Sequence, residues 1–431
     1  MVMEEKGMPM NVAIRRGDRI SRAAAWPRGL DILVVNQYYP PDTAATAAIF
    51  ADLVGALGAA GHRTTVLCGR PSYGTSSRPA WRPLLRERNA EAAVERVGSA
   101  AFDRRRMAGR IVNYTSYLLL AALRAITRPR PHLVVAGSDP PLAIWIALLA
   151  ARGAPVVYSL RDLHPDTALA AGRIRPGWTA RLWERLHVAA LRRAAVVVCL
   201  GDSMATRVRE KGVPPERVVV VPDGAPRPSG RPDPEVVAEL RGDAPFVAVH
   251  AGNLGLAGAW ETLASASERL GSGARLLFVG DGCRATDRWA LGVHILPFRP
   301  AEQLSSVMAA GDVQVVALRT GMEGLVVPSK LFTALAHGRP VLAVVPEASE
   351  AAEIVRWWRC GVVADPADPE GVAAKLVWCR DHPEALAAMA WRAGAAGRHF
   401  ERRRCLARLV QVIESTAANR APVEEGVSAA A

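Results

Sequence analysis

Short runs of β-branched and aliphatic residues alternate with longer helical stretches twice along this chain, and a proline-rich break separates the two series. That pattern constrains the fold more than any other feature. A strand that is apolar along its whole length needs cover on both faces, and helices between parallel strands supply it. In the first series, strands are expected at Asp31–Asn36, Arg63–Cys68, His132–Gly137, Pro155–Leu160, Ala194–Gly201 and Val218–Pro222, with helices between them. The stretch Pro222–Pro234 is turn-forming and reads as an interdomain linker. Further strands are expected at Phe246–Ala251, Arg275–Gly280, Val293–Leu296, Val313–Leu318 and Pro340–Val345.

The 431 residues suit two or three domains. The expected layout is a flexible segment 1–29, an N-terminal domain 30–223, a linker 224–244 and a C-terminal domain 245–398. A last helix at 399–416 is expected to pack back on the N-terminal domain, ahead of a disordered tail 417–431. The longest uninterrupted apolar stretch, Pro140–Ala151, has twelve residues. A helix that crosses a bilayer needs about 20. Met1–Gly29 lacks the apolar core of a secretory signal, and the six cysteines show no metal-ligand spacing, so a reduced cytoplasmic protein is expected.

Only four of the 54 basic residues are lysine, so arginine abundance alone has a bland source in codon bias. Its placement says more. Between Arg70 and Arg130 there are 13 arginines and four acidic residues, an excess of nine, interleaved with Trp81, Phe102, Ile111, Tyr117 and Leu118–Leu120. Such a mixture suits an anionic membrane surface. A solvated basic face is the alternative, and nucleic acid is disfavoured because no RNP, zinc-finger or basic-zipper signature is present.

Four loops at expected strand ends carry the candidate chemistry. The loop after the first strand holds Tyr39, Pro41, Asp42 and Thr43, whose backbone N–H groups at a helix start suit a diphosphate; a plain strand–helix turn is the alternative. Two further loops present Asp139 and the cluster Asp162, His164 and Asp166, groups able to orient sugar hydroxyls or move a proton. For Asp139, capping the helix opened by Pro140-Pro141 is the competing role. In the second half, His250–Gly255, Val279–Gly282 and Gly321–Phe332 follow in order. There Ser329 and Lys330 place a helix start and a cation together against a diphosphate, and Glu323 and Glu350 are candidate partners of sugar hydroxyls.

With Tyr39-Pro40-Pro41, Gly61-His62, Val221-Pro222-Asp223-Gly224, Ala251–Gly255, Phe278–Gly282, Pro328–Phe332 and Ala336–Ala343, the chain resembles the retaining glycosyltransferase family 4 of GT-B fold from about Asp31 to Glu414. The resemblance implies an α/β architecture of two Rossmann-like domains whose parallel sheets face an interdomain cleft. It also implies transfer of a hexose-type sugar from a nucleoside-diphosphate sugar to an acceptor hydroxyl with retention. No cofactor or metal is expected. The Asp162–Asp166 loop and the Gly-Asn-Leu-Gly segment resemble bacterial envelope and O-antigen transferases, which often use polyprenyl-linked acceptors.

Asp139, Asp162, His164 and Lys330 would then be catalytic. The donor would be held by Asn253, Gly255, Gly280, Asp281, Gly282, Glu323, Ser329, Lys330, Leu331 and Glu350. The pattern also departs from the family. Thr333 stands where the second glutamate of an E-x7-E pair is usual, with Leu325 at the first position. No Arg or Lys lies in Asn253–Gly258, and Thr43-Ala44-Ala45 replaces a glycine pair. A non-catalytic scaffold that binds a nucleotide sugar or partner transferase, and a nucleotide-sugar epimerase, are the other readings.

Overall fold

A computed structural model describes residues 29–72, 81–89, 91–103, 106–270, 273–280 and 293–419. The first strand, β1 (Asp31–Val35), is the centre of an eight-stranded sheet with β2 (Arg63–Gly69), β3 (Leu84–Arg88), β4 (Ala93–Val97), β5 (Leu133–Ala136), β6 (Val156–Ser159), β7 (Val196–Cys199) and β8 (Val218–Val220). Its order is β3-β4-β2-β1-β5-β6-β7-β8, and every pair is parallel except the β3–β4 hairpin at the edge. Helices α1 (Ala45–Ala59), α2 (Met107–Thr127), α3 (Ala143–Ala151), α4 (Asp166–Ala170), α5 (Trp178–Leu191) and α6 (Asp202–Glu210) connect the strands. One face of the sheet is covered by α2, α3, α5 and α6, with Tyr117, Ile144, Ala147, Leu191 and Met204 in the core.

The second sheet contains β9 (Val247–Ala251), β10 (Arg275–Val279), β11 (Val293–Leu296), β12 (Val313–Ala317), β13 (Val341–Val344) and β14 (Gly361–Ala364). Its order, β11-β10-β9-β12-β13-β14, is the doubly wound arrangement in which the first strand lies centrally and the direction of winding reverses beside it. The expected parallel α/β pattern is therefore present in both halves. The sequence reading did not contain β3, β4, α2 or β14. Three of these are short strands with only one or two hydrophobic alternations, and α2 lies in a segment read only for its charge.

The linker is shorter than 224–244. Helix α7 (Pro234–Arg241) lies within it and buries Leu240 against Val247, Val249 and Leu277 of the second domain. Asp233 starts this helix by accepting the Glu235 N–H at 2.9 Å, with Pro234 at the first helical position. After α8 (Trp260–Ser267), α9 (Leu304–Ala310), α10 (Lys330–Ala336), α11 (Glu350–Trp358), α12 (Pro369–Asp381) and α13 (Pro383–His399), the chain crosses back, and α14 (Arg402–Ala418) packs on the first domain. Leu409, Val412 and Ile413 enter the core formed by Ile32, Phe50 and Leu53. The two crossings touch: the Arg402 N–H donates to Ala225 O at 2.9 Å, and a Cβ on Gly224 (φ +58°) would overlap Phe400 O. Residues 1–28 and 420–431, on which most of the two expected terminal segments fall, lie outside the described residues.

Candidate active site

The exits of β1 and β5 flank the point where the first sheet reverses its winding, the usual ligand position of such sheets. Two backbone bonds tie them together, and a third ties the end of β2 to β1. Gln37 N–H donates to Asp139 O at 2.8 Å, Gly69 N–H to Gln37 O at 2.9 Å, and Gly137 N–H to Val35 O at 2.8 Å. The strand exits come so close that a Cβ on Gly137 would overlap Asn36 Oδ1 and stand 2.8 Å from the Phe50 ring. Within the β1 loop, Asp42 is buried and accepts the Ser72 N–H at 2.7 Å, Tyr39 is buried in the core, and Pro41 and Thr43 are exposed. Asp42 and Tyr39 thus shape the loop, while Pro41 and Thr43 form its accessible surface. Asp139 is partly exposed and accepts from Thr46 Oγ1 at 2.8 Å, which links it to the first turn of α1. It does not cap α3, whose N-cap is Leu142.

The β6 exit delivers Arg161 to Asp166. Arg161 is 6% exposed; it donates to Asp223 Oδ1 at 2.7 Å and Ser159 Oγ at 2.8 Å and lies 4.9 Å over the Phe50 ring. This buried pair spans the first domain from β6 to its last residues. Sequence reading missed Arg161; an arginine inside an otherwise apolar strand end was the available signal. Next to it, burial pushes the Asp162 carboxyl up to about 6, with Arg161 opposing and Asp223 adding to the shift. His164 stacks on Trp183 with ring centroids 5.7 Å apart. Burial lowers its pKa to about 4, so the imidazole is neutral at pH 7. Asp166 is set apart from this group, because its carboxylate binds Lys211 Nζ at 3.0 Å and Lys211 also binds Glu184 at 2.8 Å.

In the second domain the loops after β9 and β10 meet. Gly252 (φ +127°) donates its N–H to Val279 O at 2.8 Å, and a Cβ on Gly280 (φ +157°) would overlap Gly252 O. Both positions need glycine for conformation and for space. The Lys330 side chain lies across this pair: a Cβ on Gly252 would overlap Lys330 Cε and stand 3.2 Å from Nζ. Lys330 forms no hydrogen bond or ion pair among the described residues, and burial lowers its pKa. Beneath it, His250 is bonded through Nδ1 to Val315 O at 3.0 Å and packs 4.7 Å from Trp260. Burial, and then Lys330, take its pKa down to about 3. Trp260 Nε1 donates to Gly255 O at 2.6 Å and closes the loop, while Asn253, Gly255 and Ser329 are exposed around Lys330.

Other expected donor residues are used differently. Glu350 is 5% exposed, and its Oε2 accepts the Asp202 N–H at 2.8 Å, so this carboxyl group binds the start of α6 in the opposite domain rather than facing a sugar. Burial, with Glu353 and Asp202 nearby, raises its pKa to about 8. Leu331 is fully buried among Val316, Phe332 and Leu335, and its N–H is taken by Pro328 O at 3.1 Å, which removes it from ligand contact. Glu323 accepts the Gly321 N–H at 2.8 Å and shapes its own turn. Asp281 and Gly282 lie outside the described residues. The two halves meet where Leu163 N–H donates to Leu325 O at 3.0 Å, so the β6 exit and the loop before α10 face each other.

Two doubly wound domains joined by a double crossing, with the β6 exit facing the loop before α10, define the GT-B fold. Residues 18–224 match the family described as Glycosyl transferase 4-like domain, and residues 245–382 match Glycosyl transferases group 1. The chain belongs to the family 4 type of GT-B glycosyltransferases. It is 28% identical over 281 residues to the probable glycosyltransferase WbjE of Pseudomonas aeruginosa, covering 60% of this chain and 68% of that protein. It is 26% identical over 379 residues to the putative colanic acid biosynthesis glycosyl transferase WcaI of Escherichia coli K12, covering 81% of this chain and 91% of the relative. Sucrose-phosphate synthase from Thermosynechococcus elongatus has the same fold, with a TM-score of 0.71 at 14% identity over 90% of this chain and 100% of that one. So has Anabaena HepE, solved with UDP-glucose, with a TM-score of 0.63 at 17% identity over 90% of this chain and 100% of that one.

Proposed function

We propose that this glycosyltransferase moves a hexose-type sugar from a nucleoside-diphosphate sugar to an acceptor hydroxyl with retention, in the synthesis of an envelope polysaccharide or glycolipid. The observation that carries the reading is Lys330, a cation without a protein partner among the described residues, laid over the Gly252–Gly280 pair at the carboxyl ends of β9 and β10. A diphosphate there would meet the ammonium and the exposed backbone around Asn253 and Gly255. Their charge acts most strongly on the leaving group, where negative charge develops.

In the step itself, the bond from the anomeric carbon to the diphosphate oxygen breaks as the acceptor oxygen bonds to the same face. The acceptor proton passes to the departing phosphate oxygen. Neutral His164, with Asp139 and Asp162, orients the sugar and the acceptor hydroxyl from the opposite domain. The names of the relatives favour polysaccharide synthesis, and HepE's UDP-glucose favours a nucleotide donor. No bound metal enters this reading.

Assaying UDP-, GDP- and TDP-sugars with candidate acceptors tests it, with the anomeric configuration of the product read by NMR. Lys330→Ala should cut turnover by about two orders of magnitude, the usual effect of losing one charge-stabilising group. Unchanged turnover in this variant, or an inverted product, overturns the reading.

A further inference from the structure

Part of the arginine-rich segment is engaged within the fold. Arg96 pairs with Glu87 at 2.9 Å, Arg124 with Glu95 at 2.6 Å and Arg86 with Glu95 at 3.7 Å, while Arg128 is buried. Tyr117 is also internal, its hydroxyl donating to Leu67 O at 3.1 Å. The segment exposes Trp81, Phe102 and one stripe of α2, where Ile111, Leu119, Leu123 and Ile126 lie exposed, Leu119 by 72%. Leu119, Leu123 and Ile126 of that stripe recur at four- and three-residue spacing and Ile111 lies eight residues before Leu119, which puts the four on one face of the helix.

A second stripe joins it from a part of the chain outside that segment. On α5, Trp178, Leu182 and Leu186 are exposed at four-residue spacing, Trp178 by 76%. Helix α3 lies between α2 and α5 in the same layer and adds exposed Leu149. Arg106 before α2, Arg173 and Arg175 before α5, and Arg181 and Arg185 beside its apolar stripe are all exposed, and none pairs with an acidic side chain among the described residues. Helix α2 contains no acidic residue, and the one in α5, Glu184, is bound to Lys211.

From the apolar stripes and the unpaired arginines around them, we infer that α2 and α5 form a docking face for an anionic lipid surface. Trp178, Leu182 and Leu119 enter the headgroup boundary and the arginines meet lipid phosphates. Water-exposed apolar stripes on the two helices that flank α3 have no structural use within the chain. The face also lies next to the catalytic cleft. Each helix follows the carboxyl end of a strand, Arg110 near the start of α2 contributes to the field at His164, and Trp183 of α5 stacks on His164. Docking therefore sets the cleft mouth at the headgroups, where the hydroxyl or phosphate of a lipid-linked acceptor lies. This deepens the acceptor part of the transfer reading and rests on it for the identity of the cleft.

The test is flotation of the full-length protein with vesicles of phosphatidylcholine alone or with roughly one third phosphatidylglycerol, at low and high salt. The wild type is expected to float with the anionic vesicles only, and less at high salt. Arg181→Ala/Arg185→Ala should weaken binding about five-fold for each arginine removed. Trp178→Glu/Leu119→Glu should abolish binding without lowering the melting temperature, whereas Trp391→Glu on the other domain should bind as the wild type does. Equal binding by the Trp178/Leu119 variant, equal binding to both vesicle types, or a wild-type dimer that this variant splits into monomers overturns the proposal. Transfer to a water-soluble acceptor is measured separately without vesicles. Its absence alongside normal flotation sinks the transfer reading and leaves the docking face standing.

Discussion

The Lys330 side chain lies directly against the Cα of Gly252, so that this cation is held by a position with no room for a methyl group. Helix α10 thus supplies to the β9 loop the cation that this loop lacks in its own sequence. The consequence is a direct test. Gly252→Ala would force a strained φ and push Lys330 away, at about 1–3 kcal/mol in stability for the backbone strain. Kinetic assays should show kcat/KM for the donor falling about as far as in Lys330→Ala, and the double variant should be little worse than either single one. Fully additive losses would mean that the two residues act separately.

The Arg161–Asp223 pair predicts an asymmetric pattern of stability. Its side chains are 6% and 10% exposed, so removing one partner strands a buried charge. Arg161→Met should lose about 3–5 kcal/mol in urea unfolding, and adding Asp223→Asn should return part of it. A loss below about 1 kcal/mol would place the pair among exposed ion pairs.

Acid sensitivity follows from the buried imidazoles. His164 and His187 are lowered to about 4 and His250 to about 3, each chiefly by burial. Between those values and the usual 6.5, the unfolded chain binds more protons than the folded one, so the histidines' share of stability is lost as pH falls through that window. Asp162, raised to about 6, acts in the opposite sense: its stabilisation is present below 3.8 and lost as pH rises through 6. Melting temperatures between pH 4 and 7 should therefore depend less on pH in His250→Gln and favour the acid side less in Asp162→Asn. Parallel curves for His250→Gln and the wild type would contradict this account.

Glu350 should behave as a joint between domains. Losing a capping carboxylate costs about 0.5–2 kcal/mol, so Glu350→Ala should lower the unfolding free energy by that amount. The donor KM should change less than two-fold, roughly, because capping α6 is a stability contribution rather than a ligand contact. A donor KM raised ten-fold or more, roughly, with stability unchanged would return Glu350 to the sugar site.

Chelation supplies the last check. Incubation with EDTA followed by assay without added metal should leave transfer unchanged, with Lys330 and backbone donors meeting the diphosphate charge. A loss restored by a divalent cation would show that the diphosphate needs a metal as well.

The residues differ in how far sequence could place them. The positions of His164 and Lys330 in the fold were legible because one lies in the loop after an apolar run that had to be a strand and the other opens the helix after another such run. Glu350 was misplaced because its partner, the Asp202 N–H, is 148 residues away in the other domain. Arg161 was overlooked because its carboxylate partner is 62 residues on. The excess of nine in the Arg70–Arg130 segment already subtracts Glu87 and Glu95; what sequence could not show was which arginines meet them, because the β3–β4 hairpin, which pairs Arg96 with Glu87, was not recognised.

The sequence by itself determined two parallel α/β halves and the order of the loops along their carboxyl edges. Hydrophobic periodicity is a local property, and burial on both faces leaves few alternatives to helix-covered parallel strands. Tertiary structure decided which charges remain free and which surfaces lie side by side. It spent three arginines on Glu87 and Glu95, sent Glu350 to α6, laid Lys330 over Gly252 and set α5 in the same layer as α2. Those outcomes depend on strand order and domain contact, which bring together side chains that no local spacing relates.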